Sequence, residues 1–150
     1  MNIEIENEDN MKLFGEKLGK LLCGGEIIEL IGDVGAGKTT LVKGIAVGLG
    51  VNEYVQSPSF TINRIYDGRD DIKLSHYDFY RLENAGIMGN ELKEAVDDNK
   101  TVVIVEWAGA VSEVLPTDRL SVNMISPTEN SRKLSINSGG LISNKLMERL

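Results

Sequence analysis

The chain has 150 residues, 41% hydrophobic and 26% charged, with a formal net charge of −7 at pH 7. Those proportions suit one soluble globular domain with enough chain to bury a core. They leave little basic surface to neutralise nucleic-acid phosphates, so DNA is not expected as a partner. The lone Cys23 cannot form an internal disulfide, the acidic N-terminus lacks the basic segment of a secretory signal, and the longest apolar runs are strand-sized. A cytoplasmic location and no membrane association are expected.

In chain order, NIEIEN alternates like a strand, and Leu13, Phe14, Leu18, Leu21 and Leu22 then recur at helical spacing from Glu8 to Leu22. EIIELIG reads as a strand buried on both faces. Thr39 to Leu49 reads as a helix with Leu41, Val42, Ile45, Ala46 and Leu49 on its apolar side. VQSPSF is a loop, because Pro58 restricts Ser57 to extended backbone. TINRIYD and KLSHYDFY are strands joined by a hairpin turn at GRDD. A helix from about Asn90 to Asp98 leads into TVVIVEW, a second fully buried strand; RLSVNMI and RKLSIN form an antiparallel pair, and the last ten residues a short helix. The expected fold is α/β: a single P-loop NTPase domain spanning 1–150, three-layered, with a mixed, mainly parallel central sheet plus antiparallel hairpins.

Gly32, Asp33, Val34, Gly35, Ala36, Gly37, Lys38 and Thr39 fit the pattern G-x-x-x-x-G-K-[ST] in full, followed by Thr40. Ordinary residue frequencies give such a match by chance in about half a per cent of chains this long. Strand before and helix after is also the context the motif needs. Glycines let successive backbone N–H groups converge on phosphate oxygens, and the helix that follows offers its N-terminus to the same anion. Lys38 is expected on the β- and γ-phosphates and the Thr39 hydroxyl on Mg²⁺.

Glu106 closes VVIVEW, at the carboxyl end of a strand beside the P-loop, where one carboxylate can hold Mg²⁺ directly or through water. Trp107 is expected in a core or interface. In HYDFYR a strand puts His76, Asp78 and Tyr80 on one face and Tyr77 and Phe79 on the other, with Asp78 the candidate for positioning water or supporting the metal. Ser59 or Thr61 of SPSFT can sense a γ-phosphate through a hydroxyl. Lys38, Asp78 and Glu106 are therefore the candidate catalytic residues.

The stretches GDVGAGKTTLVKGIAVGLG (32–50), SPSFT (57–61), HYDFYRL (76–82) and VVIVEW (102–107), in this order, resemble the TsaE (YjeE) family of bacterial ATPases. The resemblance covers nearly the whole chain. It implies binding of ATP and Mg²⁺, with Thr39 and Glu106 on the metal, and partnership with TsaD and TsaB homologues. Those partners carry out threonylcarbamoyl transfer onto the tRNA adenosine beside the anticodon, and tRNA contact is left mainly to them. Arg132 is placed on the adenine side. Two departures stand out: LENAGIMGNELKEAVDDNKT after Arg81 lacks the family's run of acids before its Leu-Gly, and near Asn10 and Met11 this chain lacks the threonine that the family often has by the adenine.

Three other functions compete. A small-metabolite kinase needs an acceptor pocket and usually an arginine-bearing lid, and this chain has six widely spread arginines. A GTPase would read guanine with Asn-Lys-x-Asp, whereas Asn99–Lys100 is followed by Thr101 and Val102. A nucleotide-gated binding protein would act by forming complexes and hydrolyse little.

Overall fold

A computed structural model describes all residues from Met1 to Leu150. The strands are β1 (Asn2–Ile5), β2 (Ile27–Ile31), β3 (Asn63–Asp67), β4 (Lys73–Asp78), β5 (Thr101–Glu106), β6 (Leu120–Ile125) and β7 (Arg132–Ser138). The helices are α1 (Glu8–Leu21), α2 (Lys38–Gly48), α3 (Gly86–Asp97) and α4 (Leu141–Glu148). All strands join one sheet in the order β1-β7-β6-β2-β5-β4-β3.

The middle of that sheet is parallel: β2 lies between β6 and β5, and β5 pairs with β4. The flanks are antiparallel, β1 on β7, β7 on β6 and β3 on β4. The central strands carry near-continuous apolar runs because both faces are covered; every residue of β5 is buried. On one face α1, α2 and α4 enclose the main core with Ile28, Leu30, Val102, Ile104, Val122 and Leu134. On the other face α3 and the turn at 108–111 cover Ile27, Val103, Val105, Tyr77 and Phe79.

Side-chain hydrogen bonds cap the starts of two of the four helices. Asn7 caps α1 by accepting the Asn10 N–H at 2.9 Å, and Glu8 and Asp9 complement the positive end of the helix. At α4, Asp118 accepts from the N–H groups of Ile142 and Ser143, both at 2.9 Å, and from Ser143 Oγ at 2.7 Å. α2 differs: its cap residue is Gly37, in the left-handed region at φ 101°, with no side-chain cap and no acid in the first turn.

Three sequence expectations shift. α3 begins at Gly86, about one turn before Asn90. β4 ends at Asp78, not Tyr80, because the Tyr80 N–H donates to Asp78 Oδ1 at 2.9 Å and turns the chain out of the sheet. β3 begins at Asn63, because the N–H groups of Thr61 and Ile62 both fold back on the Pro58 carbonyl and Ile62 takes φ 66°.

Candidate active site

A cleft of about 660 Å³ opens at the carboxyl ends of β2, β4 and β5, where open parallel sheets place their ligands. Val34, Gly35, Gly37, Lys38, Thr39 and Thr40 form one wall, and Asp78, Glu106 and Trp107 another. Ser57, Ser59 and Phe60 close a side, while Asn7, Glu8, Met11 and Arg132 border one end. Asp78 and Glu106 are direct neighbours across the β4–β5 ladder. The two candidate carboxylates are thus brought to one place from positions 28 residues apart by strand pairing alone.

The loop from Gly32 to Gly37 bends tightly, with Gly35 at φ 84° and the Ala36 N–H on the Asp33 carbonyl at 3.0 Å. Its glycines serve two needs: Gly35 and Gly37 adopt a conformation that L side chains resist, and Gly32 lies where a Cβ would come within 2.7 Å of the Met124 carbonyl. The uncapped first turn of α2 then leaves backbone N–H groups and the positive helix end at the cleft, an anion site in its own right.

Lys38 is 8% exposed and donates to the carbonyls of Gly32 (2.6 Å) and Asp33 (2.8 Å); its Nζ also lies 5.0 Å from the centre of the Trp107 ring. Trp107 thus lines the cleft, where the sequence pointed to a core or interface. Its backbone is left-handed, φ 55°, a conformation of real cost for an aromatic residue and one that recurs at functional sites. Tyr80 packs against it, the ring centroids 4.9 Å apart and the planes tilted by 60°, and also lines the cleft.

Ser59 Oγ donates to Asp78 Oδ2 at 3.1 Å, tying the SPSFT loop to the carboxylate. Thr61, two residues on, is exposed and outside the cleft lining, because the turn on Pro58 points it away. Ser59, hydrogen-bonded to the Ser57 hydroxyl at 2.7 Å, is therefore the hydroxyl of that loop held on the Asp78 carboxylate. Arg132 borders the cleft, but its donors are engaged: Nε bonds the Ala36 carbonyl (3.0 Å), Nη2 the Gly35 carbonyl (3.2 Å), and Nη1 carbonyls of the β6–β7 turn. It braces the P-loop backbone from the β7 side.

Glu106 is 2% exposed, and its Oε1 has no hydrogen-bond partner. A buried carboxylate oxygen left in this way is costly, and a divalent cation would satisfy it. No three His, Cys, Asp or Glu side chains gather around a common metal position. That donor set fits Mg²⁺, which takes one or two carboxylates and completes its shell with water and phosphate.

Sequence analysis named no site role for Asn7, Glu8, Phe60 and Arg81, which line the cleft. Phe60 and Arg81 lie inside SPSFT and HYDFYR, whereas no motif marks Asn7 and Glu8, which the fold brings there at the start of α1.

The family model described as threonylcarbamoyl adenosine biosynthesis protein TsaE matches residues 5–134. The chain belongs to the TsaE family. A TsaE protein of Bacillus subtilis is 34% identical over 148 residues, covering 96% of this chain and 89% of that one. One from Streptomyces coelicolor is 39% identical over 115 residues, covering 76% and 78% respectively. Among solved structures, Bacillus subtilis YdiB superposes with a TM-score of 0.81 at 30% identity, covering 99% of this chain and 91% of that one. TsaE-family proteins take part in tRNA threonylcarbamoyladenosine biosynthesis, and the P-loop makes this member a nucleotide-binding protein. No helix of the TsaE-family chain is long and apolar enough to cross a membrane.

Proposed function

We propose that the chain is a Mg²⁺-dependent ATPase whose hydrolysis supports a TsaB–TsaD complex in threonylcarbamoyl modification of the tRNA adenosine next to the anticodon, in the cytoplasm. The observation that carries this reading is the buried Glu106 carboxylate with an unpartnered oxygen in a cleft walled by a P-loop. A scaffold that only bound partners would gain stability by replacing that acid with an apolar residue.

In this reading the loop amides, the first turn of α2 and Lys38 bind the triphosphate, with Lys38 leaving the Gly32 and Asp33 carbonyls for phosphate oxygens. Thr39 and Glu106 would hold Mg²⁺, which would supply charge neutralisation at the phosphates. Asp78, fixed by Ser59 Oγ and the Tyr80 N–H, orients the attacking water. Ser59 couples that carboxylate to the occupancy of the γ-position. Direct attack of water leaves ADP and free phosphate without a covalent intermediate, and rate comes from positioning and charge neutralisation. Adenine lies toward Asn7, Glu8 and Met11, the end that Arg132 borders. The net charge of −7 suits a division of labour in which TsaD and TsaB hold the tRNA.

The test is Glu106→Gln. Turnover should fall by about 10²-fold or more while the affinity for ATP changes far less, because only the metal-bound, reacting state is lost. Phosphate release at the wild-type rate would rule out the metal role of Glu106. Phosphate recovered on a small molecule, and not as free phosphate, would make the chain a kinase.

A further inference from the structure

His76 sits in the middle of β4 and is 0% exposed. Its ring has no hydrogen-bond partner on either nitrogen. An imidazole always presents a donor, and the neutral form an acceptor as well, so burying both unpaired is unfavourable. Packing does not require such a residue. Leu74 and Ile104, its neighbours along β4 and across the ladder, are fully buried and apolar, and an apolar side chain would continue that core.

What the imidazole faces is the floor of the cleft. Nε2 lies 3.7 Å from Glu106 Oε2, close enough for attraction and too far for a hydrogen bond. Neither oxygen of that carboxylate accepts a hydrogen bond, and Oε1 is fully buried as well. On the far side, Arg64 is the direct cross-strand neighbour of His76, and its Nε is also unpartnered. Three strands therefore carry a row of polar side chains through the sheet, Arg64, His76 and Glu106, with hydrogen-bonding capacity unused at every member.

We propose that His76 is a positioning residue for Glu106: its Nε2–H holds Oε2, which fixes the carboxylate rotamer and keeps Oε1 available to the divalent cation. The inference rests on the Mg²⁺ site proposed above. A carboxylate with both oxygens free rotates about its terminal torsion, and a single N–H on one oxygen selects the orientation of the other. A rotation that shortens the 3.7 Å separation by under 1 Å completes the bond. With Nε2 carrying the hydrogen, Nδ1 is an acceptor on the ring whose cross-strand neighbour, Arg64, has a spare donor.

The experiment measures binding, not turnover: affinity for a fluorescent, non-hydrolysable ATP analogue across a Mg²⁺ titration. The proteins are wild type, His76→Phe, His76→Gln and Glu106→Gln, each checked by thermal melting, with His76→Leu in reserve should the larger ring prevent folding. The apolar variants should weaken the apparent Mg²⁺ affinity by about 10–100-fold, the usual effect of removing a group that orients a metal ligand. Affinity without Mg²⁺ should change by less than about twofold, and His76→Gln, which keeps an N–H donor, should recover most of the loss. Adding the apolar substitution to Glu106→Gln should cost little more, because both act through one carboxylate. An apolar variant with wild-type Mg²⁺ affinity, or His76→Gln as impaired as His76→Phe, would overturn the inference alone. Analogue binding by the wild type that ignores Mg²⁺ would instead overturn the metal site on which it stands.

Discussion

Lys38 is a cation held at 8% exposure by two carbonyls of its own loop and one indole face. Replacing it with alanine removes the one side-chain cation that the P-loop aims at phosphate. A charged hydrogen bond of this kind contributes about 1.5–3 kcal/mol, so Lys38→Ala should weaken ATP binding by about 10- to 100-fold, measured by fluorescent-analogue titration. Wild-type affinity would remove Lys38 from the site. At this scale the sequence was legible for placement wherever a residue belongs to a local motif: Gly35, Gly37, Lys38 and Thr39 all line the cleft. It was illegible for Thr61 and Trp107. Both depend on turns: Thr61 is rotated outward by backbone bonds to Pro58, and Trp107 is delivered to the cleft by a left-handed φ that no spacing rule predicts. Arg132 shows a third case, in which the position was legible and the contacts were not.

Among the elements, the α1–α2 pair has a feature that hydrophobic periodicity concealed. The helices meet through Gly15 and Gly19 on α1 and Gly44 and Gly48 on α2, so close that a Cβ on Gly15 would lie 2.6 Å from the Leu41 carbonyl and 2.9 Å from the Gly44 Cα. The apolar positions read from sequence do pack in the main core, but four small residues set the distance between the axes. Because α2 begins at the P-loop, that distance also sets where Lys38 and Thr39 stand. Gly15→Ala should lower stability by about 1–3 kcal/mol, read from chemical denaturation, as overpacking against backbone does. An unchanged midpoint would mean that the helices are free to separate. The start of α4 gives a pH prediction. Partial desolvation pushes the Asp118 carboxyl up, but hydrogen bonds from Ser143 Oγ and from the Ser143 and Ile142 N–H groups outweigh it and leave it below the usual carboxylate range. A folded-state value below the unfolded one stabilises fully above the unfolded value, about pH 4, and the gain is lost as pH falls toward and through the lower folded value. Asp118→Asn should therefore flatten the acid limb of the stability curve below about pH 4. An acid limb identical to wild type would show that the cap does not contribute.

For the whole molecule, the α/β class and most elements were legible in the chain order of apolar runs and glycines. Strand order was not. Nothing local says that β2 lies between β5 and β6, yet that pairing and the β4–β5 register put Asp78 beside Glu106 and both beside the P-loop. The sheet is also parallel only in its middle, with antiparallel pairs on both flanks: β3–β4 and β6–β7 are joined by short connections without a crossover helix, and β1, from the start of the chain, lies antiparallel on β7 at the edge. The consequence is one cleft-bearing rim on an acidic molecule, the arrangement that the proposed ATPase requires. The most direct test is release of free phosphate from ATP by the purified chain, alone and with a TsaB–TsaD pair, each with Mg²⁺ and with the metal chelated. The prediction is slow release alone, faster release with the pair, and none without metal. No release by the chain in either condition, or equal release after chelation, would contradict a Mg²⁺-dependent ATPase.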